Sequence, residues 1–172
     1  NCTIRGGRYG YNSQQGAGGR TGNPVALFLR TRFEGQKEAG VNLHTSQFQP
    51  WQVCEFVGSR TGFTHGQERG PGAYKGDRGA AGGVTIDNLT ICNSTFRNLR
   101  HRAIDLAPES SRLGHVGIHN CRFEDVGETA VRIDGGQTHL LQKSVFIRCA
   151  GQTYVPAVRI VSYGTVVLSH AT

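Results

Sequence analysis

The chain has 172 residues, which fits one domain, and its 37% hydrophobic content permits a narrow core. Its 25 glycines suit a fold with many bends. The formal net charge of +7 comes almost entirely from arginine, which favours partners that carry carboxylate, sulfate or phosphate groups. No stretch reaches the ~18 consecutive apolar residues of a membrane span, so the composition excludes that class of segment.

One sequence pattern organises the chain. It occurs at 91–106 and returns at 118–133, an offset of 27 residues. Both copies read I-x-N-[SC]-x-F-x-x-[LV]-x-x-x-A-[IV]-x-[IL]. A fixed period of this size is typical of a solenoid, in which each repeat buries its apolar face only against its neighbours.

Apolar residues alternate within the second copy in three short runs, at 116–118, 121–123 and 131–133. Alternation with period two predicts strands, and Asn120 tolerates the left-handed backbone of a tight bend. The pattern therefore predicts three short strands and three bends per coil. It resembles the PbH1-type repeats of the pectate-lyase-like superfamily, and the resemblance implies an all-β, single-stranded, right-handed parallel β-helix.

The same pattern, followed in chain order, predicts one β-helix domain over 1–172 with about six coils. The predicted coils lie near 1–4, 26–43, 49–65, 84–106, 113–133, 139–161 and 166–171. Two polar, glycine-rich segments, 5–23 and 65–83, are predicted to be loop insertions. Neither end shows a polar cap, so we expect either that the sequence is a segment of a longer β-helix or that its open ends pair with other chains.

A ladder of aromatic side chains is predicted along the inside of the coils, because parallel strands stack ~4.8 Å apart. The positions that share the phenylalanine place of the repeat are Ile4, Phe33, Phe56, Phe96, Phe123 and Phe146. Gln36 and Ser59 depart from the pattern, because they occupy the place that holds Leu or Val in the two best copies.

The cysteines predict buried free thiols. Cys2, Cys54 and Cys121 fall on one inward column, but neighbours are two coils apart, roughly 9.6 Å by strand spacing. That separation exceeds the ~7 Å Cα limit for a disulfide. No close cysteine and histidine cluster indicates a metal site, and calcium is implied only by the family resemblance.

The outward column of the third strand is the main candidate site. Asp105, Arg132 and Arg159 should be neighbours there, with Asn42 as their counterpart in an earlier coil. Asp105 beside Arg132 would form an ion pair, whereas Arg132 beside Arg159 should be unfavourable without an anion. The resemblance implies that such an arginine-bearing sheet holds acidic sugars.

A second outward column places Arg97 beside Glu124 on a neighbouring strand. The competing interpretation of both columns is ordinary surface ion pairs that each contribute little. The triplets at Asn1, Asn88 and Asn93 match the N-x-[ST] glycosylation pattern, which would require a secretory route.

No catalytic motif of the family can be carried over to this sequence. The acidic residues are scattered, and none of the possible bases has an evident carboxylate to orient it; those bases are His101, His115, His119 and His139. The catalytic residues therefore stay unknown, and whether the protein is an enzyme is left open. An enzyme of this type would resemble a polysaccharide lyase or a glycoside hydrolase.

Two functional hypotheses follow. The first is a secreted or cell-surface protein that binds an acidic polysaccharide along the arginine-bearing sheet and, if enzymatic, processes it. The second is a structural protein whose coils associate into an extracellular fibre or appendage, with glycosylation but no catalysis. Nucleic acid is not predicted as a partner, because no recognised binding motif accompanies the basic charge.

Overall fold

The chain folds as an all-β parallel solenoid in a computed structural model. The structure describes residues 1–13, 28–43, 46–52, 54–59, 61–65, 85–106, 112–150, 155–162, 164–170 and 172. These ranges contain no helix, and hence none that could cross a membrane. The predicted loop 65–83 lies outside the described residues, apart from His65, which ends a strand.

The strands are short. In chain order they are β1 (Cys2–Arg5), β2 (Tyr9–Ser13), β3 (Phe28–Leu29), β4 (Thr31–Glu34), β5 (Ala39–Leu43), β6 (Ser46–Gln52), β7 (Glu55–Val57), β8 (Thr61–His65), β9 (Thr85–Cys92), β10 (Thr95–Leu99), β11 (Ile104–Leu106), β12 (Arg112–His119), β13 (Arg122–Val126), β14 (Val131–Asp134), β15 (Thr138–Gln142), β16 (Val145–Cys149), β17 (Val158–Val161) and β18 (Thr165–Ser169).

Three parallel sheets run along the solenoid. Sheet A has the order β1-β4-β7-β10-β13-β16, sheet B has β2-β5-β8-β11-β14-β17, and sheet C has β3-β6-β9-β12-β15-β18. Each strand pairs with the strand three places away in sequence, so the chain visits the sheets in turn. This topology confirms the parallel solenoid that the repeat predicts.

The register confirms the alignment of the two best repeats. Phe96 pairs with Phe123 in sheet A. Ile91 pairs with Ile118 in sheet C, and residues 104–106 pair with 131–133 in sheet B. All of these pairs have the offset of the sequence pattern, so side chains that share a place in the repeat lie over one another.

A stack of phenylalanine rings occupies the core. Successive centroids are 5.0, 4.6, 5.0 and 4.7 Å apart from Phe33 to Phe146, and the rings are within 11° of parallel. The stack extends over about four turns of the solenoid. Strand spacing sets this separation, which lies near the lower end of the range for attractive aromatic pairs.

Small residues in sheet B make room for the rings. A Cβ on Gly40 would lie 2.7 Å from a ring carbon of Phe56, and one on Gly62 would lie 2.8 Å from a ring carbon of Phe96. Ala103 follows Gly62 in the same column by register and is completely buried. The aromatic column therefore depends on a facing column of glycine and alanine.

The two residues that depart from the repeat form a buried polar pair. Ser59 donates from its hydroxyl to Oε1 of Gln36 at 2.9 Å, and the backbone N–H of Gln36 donates to the same hydroxyl at 3.2 Å. Nε2 of Gln36 donates to the carbonyl oxygen of Ile4 at 2.9 Å. The pair is accommodated because these buried polar atoms have hydrogen-bond partners.

The bends between sheets C and A are built by short polar side chains. Asn93 and Asn120 have φ values of 51° and 50°, as predicted for left-handed corner residues, and Nδ2 of Asn120 donates to Oδ1 of Asn93 at 2.7 Å. The Ser94 hydroxyl donates to the carbonyl oxygen of Cys92 and accepts the N–H of Cys54. The bends therefore satisfy their own backbone groups.

The prediction of a loop over 5–23 is wrong for its first part, because β2 pairs in parallel with β5 there. Tyr9 and Tyr11 flank Gly10 on this strand. A Cβ added to Gly10 would lie 2.6 Å from a ring carbon of Phe33. The high glycine content indicated a loop, whereas at Gly10 the glycine is required by close packing. Residues 14–23 lie outside the described residues.

We expect Phe96→Ala to lower the free energy of unfolding by about 3–5 kcal/mol, because the variant leaves a cavity between two stacked neighbours. Thr95→Ala, on the outward face of the same strand, should cost less than about 1 kcal/mol. Urea unfolding followed by circular dichroism measures both changes. Equal losses for the two variants would contradict the importance of the stack.

Candidate functional site

The predicted column of charged residues exists on sheet B. Asp105 pairs in register with Arg132, and Arg132 pairs with Arg159, on the successive strands β11, β14 and β17. Asn42 belongs to the same column, with Thr64 between it and Asp105. The structure therefore brings these residues together as the repeat predicts.

A carboxylate of the protein lies between the two neighbouring arginines of this column, Arg132 and Arg159. The carboxylate of Asp134 lies 2.9 Å from Nη2 of Arg132 and 3.4 Å from Nε of Arg159. The sequence predicts that Arg132 beside Arg159 is unfavourable without an anion, and the protein itself supplies that anion. Asp134 is two residues beyond Arg132 on β14, so its side chain is on the same face of the sheet.

Asp105 is the most buried charged residue of the column, with 9% of its side chain exposed. Its Oδ2 accepts a hydrogen bond from Nη1 of Arg102 at 3.0 Å. Its Oδ1 is 3.7 Å from Nη1 of Arg132, which is beyond hydrogen-bond distance, and has no hydrogen-bond partner among the described residues. Arg102 and Arg132 together neutralise this carboxylate.

A histidine with a carboxylate partner lies beside this column. Nδ1 of His101 is 2.6 Å from Oε1 of Glu128. The expectation that no histidine has a carboxylate to orient it is therefore wrong. In the neutral imidazole, a carboxylate at Nδ1 fixes the proton on that nitrogen and leaves the lone pair on Nε2. The pair thus presents a proton acceptor at a partly exposed bend.

Arg102 connects the histidine pair to the column. Its Nη2 lies 2.9 Å from Oε2 of Glu128, while its Nη1 binds Asp105. The result is one continuous series of charged side chains, which we call the charged network. Its members are His101, Glu128, Arg102, Asp105, Arg132, Asp134 and Arg159.

The sequence indicates one contact of the charged network, the pair of His101 and Glu128. Glu128 follows His101 by 27 residues, the offset of the repeat itself, so the alignment already placed them on adjacent coils. The Arg102 to Asp105 contact crosses a bend within one coil, where neither strand nor helix periodicity applies. No sequence pattern therefore indicated it.

The other predicted members lie elsewhere or are inaccessible. Asn42 is completely buried, so a polymer on the outer face of sheet B does not reach it. Arg97 and Glu124 are register neighbours, as predicted, but on sheet A. There Arg97 binds Glu55 at 2.8 Å, and Glu124 binds Arg148 at 2.9 Å. They form a second group of ion pairs on a different face.

Sheet A carries alternating charges that largely pair with one another. Arg32 binds Glu34 at 3.2 Å and also binds Glu55. Hydrogen bonds from Arg122 and Arg148 hold the pKa of the Glu124 carboxyl below its usual value. The Glu124 carboxylate therefore stays ionised, and each nearby guanidinium meets an anion of the protein itself. Sheet A is a weaker candidate for binding an added polyanion than sheet B, because Arg148 is held by both Glu124 and Asp125, whereas Arg159 has one longer contact, at 3.4 Å, with Asp134.

The predicted glycosylation positions are placed as follows. Asn1 is exposed, and Asn93 is exposed at its bend. Asn88 lies within β9, where its side chain is outside the described part of the structure. Glycosylation of these positions stays a prediction.

The cysteines are free thiols, and Cys54 and Cys121 are buried. Burial raises the pKa of Cys121 to about 12, so this thiol stays protonated and unreactive at neutral pH. Cys2 is exposed, although the sequence placed it on the inward column. Among the described residues, no group of three or more histidine, cysteine or acidic side chains could hold a metal ion.

Comparison with known proteins adds no further identification. No family model, no curated protein and no solved structure matches this chain.

Proposed function

We propose that the protein binds an acidic polysaccharide along the outer face of sheet B, with Arg132 and Arg159 as the main contacts. The supporting observation is the exposure of Arg159, whose side chain is 55% accessible while its Nε faces Asp134. A guanidinium has five N–H donors, so one directed at Asp134 leaves others for a second carboxylate.

The regular spacing of the column favours a polymer over a small anion. Arg132 and Arg159 occupy the same place on adjacent parallel strands, which lie ~4.8 Å apart. Two such guanidiniums can engage neighbouring acidic groups of one chain, and each contact then strengthens the next by raising the local concentration. Asp134 between them reduces the affinity for any single anion, and the exposed contacts between opposite charges make binding sensitive to salt.

The His101 and Glu128 pair is the group we propose for processing of the bound polymer. Glu128 orients the imidazole so that Nε2 can accept a proton from the sugar or from water. Arg102 holds Glu128 in place and also contacts Asp105 of the column. His101 is the proposed base, and Glu128 is a positioning residue.

The finer description of the fold is part of this proposal. We propose a right-handed parallel β-helix of the PbH1 type in the pectate-lyase-like superfamily, with three strands per coil and about six coils. Three parallel sheets visited in turn support it. A secreted or cell-surface location follows from the proposed ligand. Calcium as a cofactor is implied only by the resemblance, and no step is assigned to it.

A structural role by self-association is the second candidate. Apolar side chains are exposed on the two neighbouring strands β17 and β18, at Val161, Val166, Val167 and Leu168. Exposed apolar side chains on consecutive strands favour association with another chain. This observation supports assembly into a fibre without catalysis.

We expect wild-type protein to bind a polyuronate but not neutral dextran, with affinity that falls as salt rises. Arg159→Ala and Arg132→Ala should each weaken binding about tenfold, because each removes a charge-assisted contact. Arg5→Ala removes the same charge from β1 of sheet A and should have little effect. Isothermal titration calorimetry measures these affinities, and equal losses for all three variants would assign binding to net charge alone.

We expect the wild-type protein to shorten the polyuronate and His101→Gln to abolish this activity while binding stays within about threefold, because only the proton acceptor is lost. His115→Gln, on the exposed face of sheet C, is the matched control. Mass spectrometry distinguishes the reaction type, since elimination products are lighter by one water than hydrolysis products. Intact polymer with wild-type protein, together with normal binding, would remove the processing role and leave the binding role.

For the structural alternative, we expect the average mass in solution to rise with protein concentration, because exposed apolar side chains on β17 and β18 associate. Leu168→Asp should suppress this rise, whereas Thr165→Asp on the same strand should suppress it less. Sedimentation equilibrium measures the mass, and a constant monomer mass at high concentration would eliminate this candidate.

A further inference from the structure

One histidine lies inside the core of the solenoid. His139 on β15 occupies the inward column of sheet C, with Val116 on one side and Val166 on the other. Only 1% of its surface is exposed. The same place is held by Gln49, Leu89 and Val116 on the preceding strands of sheet C, so the immediate neighbours of the ring in this column are apolar.

The hydrogen bonding of His139 identifies its tautomer. Nε2 lies 2.6 Å from the carbonyl oxygen of Gly135, and a carbonyl can only accept, so Nε2 carries the proton. Nδ1 is buried and has no hydrogen-bond partner among the described residues. The neutral ring fits this site, but a proton added at Nδ1 would have no acceptor.

The charged and ionisable groups around His139 do not stabilise an imidazolium. His115 on β12 is the neighbouring ionisable group, and its positive form would repel a second one. β18 carries no ionisable side chain between Thr165 and Ser169, and the bend 135–137 is Gly-Gly-Gln. The Asp134 carboxylate is engaged by Arg132 and Arg159 on the outer face of sheet B.

His139 contacts the bend on which β18 rests. Gly135 and Gly136 have φ values of 99° and 94°, which glycine adopts without strain. The carbonyl of Gln137 accepts the N–H of Thr165 at 2.9 Å, so this bend supports the start of β18. On β18 the side chains of Val166, Val167 and Leu168 are 39%, 39% and 58% exposed, so this strand is only partly covered.

We propose that neutral His139 keeps β18 paired with β15, and that protonation of its imidazole at acidic pH separates the two strands. The separation uncovers the edge of β15 in sheet C. The imidazolium requires an acceptor at Nδ1, and water reaches that atom most easily when β18 moves away. Release would expose the backbone edge of β15 together with His139 and Leu141, which lie under Val166 and Leu168 in register. This inference is independent of the proposed polysaccharide site on sheet B.

The direction of the pH effect follows from linkage. Burial lowers the pKa of His139 below its ordinary value of 6.5, and the charge of His115 lowers it further. The opened state therefore binds the proton more tightly than the closed state. The stability of β18 is complete above the ordinary histidine value and falls as the pH drops below it toward the lowered pKa.

Hydrogen exchange measured by mass spectrometry tests the proposal. After correction for intrinsic rates, we expect the amides of 165–169 to exchange roughly 10- to 30-fold faster at about pH 5 than at about pH 7.5. Peptides from β13 should change much less. His139→Leu should abolish the acid effect on β18, whereas His115→Gln should retain it.

Three results would overturn the proposal: the same acid effect in His139→Leu, no acid effect in the wild type, or equal acceleration throughout the chain. If His139→Leu does not fold, nitrogen NMR of the wild-type imidazole replaces it. The proposal then requires the Nε2–H tautomer at neutral pH and protonation that coincides with loss of the β18 amides. Protonation with β18 still protected would equally contradict it.

Discussion

The spacing of parallel strands is the constraint on which this molecule depends. Each coil has to place its side chains directly over those of the previous coil, ~4.8 Å away. Flat rings suit that separation, and the phenylalanines of sheet A stack face to face at 4.6 to 5.0 Å. The glycine and alanine column of sheet B follows from the same constraint, because the rings need the space that a larger side chain would occupy.

The same constraint also determines the behaviour of charges on the outer faces. Like charges in one column repel, so the structure supplies carboxylates from adjacent places, as Asp134 does between Arg132 and Arg159. On sheet A the arginines are paired more evenly, and Glu34 has a pKa below its usual value because Arg32 and Arg5 hold its ionised form. A ligand therefore has to compete with internal anions on both sheets, and on sheet B the competing contact at Arg159 is a single one of 3.4 Å to Asp134.

The sequence predicted the features that depend on the repeat. The phenylalanine ladder, the left-handed Asn93 and Asn120 corners and the Asp105 column all follow from a fixed offset, and the structure confirms them. The contacts made by long side chains across bends were not predicted, because periodicity does not say where they reach. The His101 and Glu128 pair was predictable in part. The repeat offset of 27 residues places the two residues on adjacent coils, but it does not indicate that their side chains form an ion pair. β2 was not predicted because the glycines of 5–23 were interpreted as typical of a loop, whereas Gly10 packs closely against the ring of Phe33.

The Gln36 and Ser59 pair has a consequence for how the chain finds its alignment. Coils that share phenylalanine in the same place can stack on the wrong neighbour at little loss of apolar contact. A coil shifted by one place would leave the amide of Gln36 facing an aliphatic side chain with no partner, at a cost of about 1–3 kcal/mol. The hydrogen bonds between the buried amide of Gln36 and the hydroxyl of Ser59 form only when these two coils are adjacent. They therefore favour the correct order of coils over shifted orders that keep the phenylalanine stack.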